Sequence, residues 1–311
     1  MSLAGDALLL RPLSIGEIFD RAVTLYVRHF ALFTLIMLAV LLPLTILSYF
    51  GTFGNTSYQQ ILQQATHPGR AAPAPSITTM LQFEGVLFLV VVLQLFLQPF
   101  ANVAIAAAVG ALYRAERPTW PQSYAVALRR WPAMLGTAFM EIIILGAIVF
   151  AGSFVFGLMV VIGVVVTRGS VAAAVVLGIV AVLLLIAWLA IIVLCFIALG
   201  FAFNAIGVEG SAAFTAIGLG FARIFDRREL GRASLVVLAV GAIYIGIYLV
   251  FFALFGLIQA LAHSFALVEL ATMPISLVSS TFIALLFAVY YFDVRVRREG
   301  LDMQAALDRL E

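Results

Sequence analysis

Glu141 asks for a chemical explanation before any other residue, because it is the single ionisable side chain in the apolar stretch 134–150. A charge inside a membrane-length apolar segment costs several kcal/mol unless it is paired or hydrated. A carboxyl there can relay protons or hold a substrate; alternatively it is an arginine-paired or snorkelling group near one end of its helix. It lies only about 9 Å from the start of the apolar span 136–167, at 1.5 Å per residue. Gln98, Pro99 and Asn102 form a second polar patch. Proline removes one backbone hydrogen bond and frees a carbonyl, so the patch can line a cavity, or its amides can bond across to a neighbouring helix. Asn204 and Glu209 end the fourth apolar run and are expected to meet water there.

Other catalytic chemistry is poorly provided for. The histidines are His29, His67 and His263, with no ligand partner close in sequence, so a zinc site of the usual composition is not expected. There is no HExxH, no phosphate-binding P-loop and no GxGxxG placed after a strand. Intramembrane proteolysis needs a nucleophile and a base at one depth. Ser153 falls near mid-membrane, whereas His263 falls at an outer helix end. The single cysteine, Cys195, lies in an apolar run and has no internal disulfide partner. No catalytic residue, metal ligand or cofactor is assigned, and the chain is not expected to be an enzyme.

The elements that must carry these residues follow from composition. Of 311 residues, 65% are hydrophobic and 10% charged, and the mean hydropathy is +1.18. Soluble domains are about half apolar and a quarter charged, so this is the composition of a polytopic membrane protein. A net charge of +2 excludes a nucleic-acid-binding role. About 20 apolar residues cross the hydrocarbon core, and six segments qualify: 30–50, 86–112, 136–167, 171–206, 234–262 and 274–292. Because lipid offers backbone groups no partner, these must be helices. The expected fold is therefore all-α, a polytopic membrane helical bundle with six transmembrane helices forming one integral membrane domain over 1–311.

All seventeen basic residues are arginine. Fifteen fall in one set of loops and termini, and two, Arg70 and Arg168, fall in the other. The positive-inside rule then places both termini in the cytoplasm of a bacterial-type cytoplasmic (inner) membrane. Residues 51–83 become the one long external loop, with a short helix expected at 58–65, and 293–311 become a cytoplasmic tail. Segments 136–167 and 171–206 are longer than the core requires, and a turn at Arg168-Gly169-Ser170 joins them into a tight hairpin.

Each inbound span is preceded by an amphipathic elbow. In the first, 14–30, Ser14 and Glu17 have capping-box spacing. Glu17, Asp20, Arg21, Thr24 and Arg28 share one face, and Ile18, Ala22, Leu25 and Tyr26 fill the other. Such a helix lies in the headgroup plane. The second and third elbows are 122–134 and 211–230, and Arg28-His29-Phe30 corresponds to Arg129-Arg130-Trp131. Elbow plus two spans then recurs over 11–112, 118–206 and 210–292, a threefold repeat. Small residues at Ala104, Ala108, Gly152, Gly157 and Gly241 are expected at close helix contacts.

The two ends resemble a known family. Arg11-Pro12-Leu13-Ser14-Ile15-Gly16-Glu17-Ile18-Phe19-Asp20-Arg21-Ala22 and Leu25-Tyr26-Val27-Arg28-His29-Phe30 resemble the opening of the glycerophosphoryl diester phosphodiesterase membrane-domain family. Tyr290-Tyr291-Phe292-Asp293-Val294-Arg295-Val296-Arg297-Arg298-Glu299-Gly300-Leu301-Asp302 resembles its closing segment. The resemblance implies a membrane bundle, which in some members is fused to a soluble phosphodiesterase and in many stands alone with an undefined role. This chain has no His-Arg-Gly of the kind that opens the soluble enzyme, so no phosphodiesterase activity is carried over.

Three function classes follow. The first is a non-catalytic membrane protein that organises anionic lipids or a membrane-protein partner through Arg21, Arg28, Arg129, Arg130, Arg227 and Arg228, and through the Asp293, Arg295, Arg297 cluster. The alternative is a transporter or lipid-translocating protein with a cavity near Glu141, Asn102, Gln98 and Asn204. The third, a lipid-modifying enzyme, has only Glu141 and Asp293 to offer as acid–base groups. Convergence of Glu141, Asn102 and Gln98 in one cavity separates the second and third classes from the first.

Overall fold

The structure is a computed structural model and describes residues 11–53, 77–166, 170–262 and 265–300. Among these residues every regular element is helical. The helices are α1 (Ile15–Arg28), α2 (Phe30–Phe53), α3 (Ile77–Tyr113), α4 (Trp120–Arg129), α5 (Trp131–Val166), α6 (Val171–Glu209), α7 (Ala213–Ile224), α8 (Arg227–Ala262) and α9 (Phe265–Glu299). Six of them, α2, α3, α5, α6, α8 and α9, are long and apolar enough to span a bilayer. The protein is an all-α membrane protein. α5 and α6, with 36 and 39 residues, run about 54 and 58 Å at 1.5 Å per residue, well beyond a core about 30 Å thick.

Short α1, α4 and α7 each precede two long helices, so one order of elements repeats over 15–113, 120–209 and 213–299. The packing repeats with it. Each short helix rests on the second long helix of the unit before it: α4 on α3, α7 on α6, and, closing the circle, α1 on α9. It also touches the first long helix of that unit, α4 on α2, α7 on α5 and α1 on α8. The second long helices α3, α6 and α9 all contact one another and form the centre. Their outer neighbours follow the same rule, α3 with α5, α6 with α8 and α9 with α2.

Close packing concentrates where the short helices sit. There α3 contributes Ala101, Ala104 and Ala108, and α6 contributes Ala198, Ala202 and Ala205, all fully buried. Such small side chains let membrane helices approach closely. Phe201 of α6 stacks edge-on against Tyr290 and Tyr291 of α9 at 5.2 and 5.3 Å. Toward the other end the side chains turn outward, as at Phe88, Phe150, Val160, Leu183 and Phe252. A helix that is apolar all round, bathed in lipid, needs no buried stripe there.

The first elbow forms as its sequence specifies. The Ser14 N–H donates to Glu17 Oε2 at 2.7 Å, and the Glu17 N–H donates to Ser14 Oγ at 3.3 Å. Ile18, Ala22, Leu25 and Tyr26 are its buried face. The hydrogen bond from the Ser14 backbone, then that from Arg11, holds the Glu17 carboxyl down at about 2. A lowered carboxylate pKa supports the fold above the ordinary value and loses that support as the pH falls through the folded value. The cap is thus expected to be intact above pH 4.5 and lost as the pH falls through about 2. A carboxyl-carbon NMR titration should place the Glu17 midpoint near 2, rising in Arg11→Gln; a wild-type midpoint near 4.5 would contradict the cap.

Several boundaries differ from the sequence expectation. Residues 77–83, assigned to the external loop, are the first two turns of α3, and 293–299, assigned to the tail, are the last two of α9. α9 begins at Phe265 and runs through Pro274, whereas the apolar segment in the sequence starts at 274. Membrane helices tolerate an interior proline because neighbours re-satisfy the freed carbonyl. The second elbow helix is Trp120–Arg129 and the third Ala213–Ile224, each shorter at its end than expected. Of the small residues, Gly152 lies under Trp188, while Gly157 and Gly241 face open space. The helix at 58–65, Arg168-Gly169 of the hairpin turn, and His67 and His263 fall outside the described residues.

Candidate functional site

The cleft is built mainly by the three central helices. On α3 the residues Val91, Leu95, Gln98 and Asn102 recur every three or four positions, so they form one stripe. α6 offers Phe196, Gly200 and Asn204, and α9 offers Ser280, Ala284 and Phe287, in the same rhythm. α5 adds Glu141 and α8 adds Tyr244. Together they enclose a cleft of about 330 Å³. Glu141, Gln98, Asn102 and Asn204, scattered over a hundred residues of sequence, therefore face one space.

Glu141 stands ten residues along α5 from Trp131, about 15 Å. No ion pair among the described residues involves it, so the arginine-paired alternative is not what the geometry provides. The Gln98 amide donates to Met37 Sδ of α2 at 3.3 Å, a weak acceptor. The Asn204 amide donates to the Gly200 carbonyl at 2.9 Å. Asn204 is 5% exposed and does not meet water at a helix end as its position suggested, because α7 and α3 pack over this part of α6. Gln94, Tyr244 and Ser280 carry no motif that marks them in the sequence; they show as cleft residues once the rotation of α3, α8 and α9 is known. The walls pair amide and hydroxyl groups and one carboxyl with phenylalanine, leucine and valine. That mixture suits an amphipathic guest with a hydrogen-bonding head. No group of three or more metal-ligating side chains occurs among the described residues.

The arginines behave in two ways. Asp293, whose side chain is fully buried, is a hub. It accepts from the Leu13 N–H at 2.6 Å and pairs with Arg232 at 2.6 Å and Arg297 at 3.2 Å. Arg297 and Arg232 both donate to the Leu13 carbonyl, Arg297 at 2.6 Å. A second ring joins Arg223, 6% exposed, to Glu209 at 2.9 Å and Glu299 at 2.7 Å, and joins Arg295 to the same two carboxylates at 3.2 and 2.7 Å. The sequence offers Asp293, Arg295 and Arg297 as headgroup or partner contacts; in the structure Asp293 and Arg297 tie α9 to Leu13 just before α1, Asp293 ties it to α8, and Arg295 ties it to α6. Each elbow also sends one arginine to the second long helix of its own unit. Arg21 reaches the Tyr113 hydroxyl, Arg130 donates to the Ile206 carbonyl, and Arg223 donates to the Tyr291 hydroxyl at 2.6 Å. Arg28 is exposed and has an interaction of its own. Arg129, Arg227 and Arg228 are exposed, and no ion pair among the described residues involves them.

No family model, no curated protein and no solved structure matches this chain.

Proposed function

We propose that the protein is a transporter or lipid-translocating protein of a bacterial-type cytoplasmic membrane, with both termini on the cytoplasmic side. Its guest is a small amphipathic molecule or a lipid headgroup taken into the cleft, and Glu141 is the group that gains and loses a proton or holds the polar head. One observation carries the reading: Glu141, Gln98, Asn102 and Asn204, from three helices, line a single cleft inside the spans. Intramembrane ionisable groups facing a cavity mark substrate or proton paths, and internal repeats with sites between them are a common transporter plan. The orientation rests on the fifteen-to-two distribution of arginines. The likeness of both ends to the phosphodiesterase membrane-domain family belongs to the same proposal, as a stand-alone bundle without the catalytic domain.

The lipid- or partner-organising reading keeps one specific support, the exposed Arg129, Arg227 and Arg228. Reconstitution separates the two. In proteoliposomes, a fluorescent-headgroup phospholipid in the inner leaflet should become accessible to dithionite faster than in protein-free vesicles, with a rate that changes between pH 6 and 8. Glu141→Gln should lower that rate at least about 10-fold and abolish its pH dependence. A wild-type rate equal to that of empty vesicles favours the organising reading. A translocating Glu141→Gln variant with intact pH dependence removes Glu141 from the mechanism.

A further inference from the structure

A second concavity lies at the arginine-rich end, between the end of α3, the start of α4 and the end of α6. It encloses about 380 Å³. Its floor is made of small residues: Gly110 and Ala107 of α3, and Gly207 of α6, whose Cα approaches so closely that an added Cβ would meet the Val103 carbonyl at 2.8 Å. Its rim carries three guanidinium groups, Arg114, Arg117 and Arg130, against one carboxylate, Glu116. Arg114 is bound to Glu116 at 2.7 and 3.2 Å. Arg130 donates to the Ile206 carbonyl at the end of α6. Arg117 is exposed, and no ion pair among the described residues involves it. The cleft thus holds an excess of two positive charges, presented by groups whose planar forks match phosphate oxygens.

The surroundings bear on the source of the anion. Trp120 and Trp131 bracket α4 and are 46% and 53% exposed, with Leu128 exposed between them. Indoles at helix ends sit at the headgroup level of a bilayer. The mouth of the concavity therefore opens where lipid phosphates are, a few residues beyond the end of the apolar span Phe88–Tyr113.

We propose that this cleft binds the phosphate group of an anionic membrane lipid, with Arg117 and Arg114 as its principal contacts and Arg130 anchored behind them. It is separate from the Glu141 cleft and does not depend on transport. The same chemistry could be met by free phosphate, and the test has an arm for each source. The full chain, extracted in mild detergent, is titrated by native mass spectrometry with phosphatidylglycerol or phosphatidylcholine of equal chain length. Phosphatidylglycerol should bind more tightly than phosphatidylcholine. Arg114→Gln/Arg117→Gln should weaken it roughly 5-fold per arginine, about 30-fold in all, down to the phosphatidylcholine level. Both arginines are exposed, and an unchanged melting temperature would show the variant folded. Arg11→Gln, at an exposed arginine outside the cleft, should leave the preference in place. A double variant that keeps the wild-type preference overturns the site, as does an equal loss in Arg11→Gln. Inorganic phosphate should compete with phosphatidylglycerol; binding of inorganic phosphate without any phosphatidylglycerol preference overturns the lipid source.

Discussion

Asp293→Ala is expected to destabilise the bundle by about 3–5 kcal/mol, the usual cost of removing one partner from a buried ion pair. The carboxylate has a fully buried side chain and three partners, the Leu13 N–H, Arg232 and Arg297. Its removal strands a buried backbone donor and leaves Arg232, only 15% exposed, without a counter-ion. Arg297 is less constrained, since at 34% exposure it can turn toward water. Asp293→Asn should fall between, keeping an oxygen for Leu13 while losing the charge. Denaturation by sodium dodecyl sulfate in mixed micelles measures the difference; a loss below about 1 kcal/mol for the alanine variant would mean that the hub does not hold α1 to α9.

Gly220→Ala should be the next most damaging change, and a neighbour provides its control. At Gly220 on α7 an added Cβ would lie 2.1 Å from the Ala198 carbonyl oxygen of α6, which is backbone and cannot swing aside. The two helices must separate, and overpacking of this kind costs about 1–3 kcal/mol, sometimes more. Gly218, two residues earlier, has nothing within 4 Å of its would-be Cβ. Gly218→Ala should therefore stabilise α7 by roughly 0.5–1 kcal/mol through helix propensity. Melting temperatures of the two variants should move in opposite directions. A shift of the same sign and size in both would remove the close α6–α7 approach as the cause.

What the sequence discloses here is what depends on one segment at a time. A span needs only a run such as 30–50, and the elbow α1 needs only Ser14, Glu17 and a face of Ile18, Ala22, Leu25 and Tyr26. The polar residues Gln98, Asn102, Glu141 and Asn204 stand out in an apolar background, and the structure brings all four together. Their shared space was not legible, since it depends on how α3, α5 and α6 rotate about their axes. Asp293 was visible as a charge at a helix end, but its partner Leu13 is 280 residues away. The loop assigned to 51–83 was too long for a similar reason. The start of α3 at Ile77 lies in a polar stretch, Thr78-Thr79-Met80-Leu81-Gln82, whose hydropathy does not announce a helix.

The ring of contacts also has an order in time. Synthesis proceeds from the N-terminus, so α1 is made before the other described helices, yet it rests on α9, made after the rest of them. Until α9 arrives, α1 lacks its seat, α2 lacks one flank, and Leu13 has no carboxylate to meet. Contacts so distant in sequence form late and slowly. As the chain is made, α4 meets its seat on α2 and α3 already in place, whereas α1 stays without one. Arrival of α9 closes the circle, so the first elbow gains its seat, and Leu13 its carboxylate, in the same event that fastens the final helix.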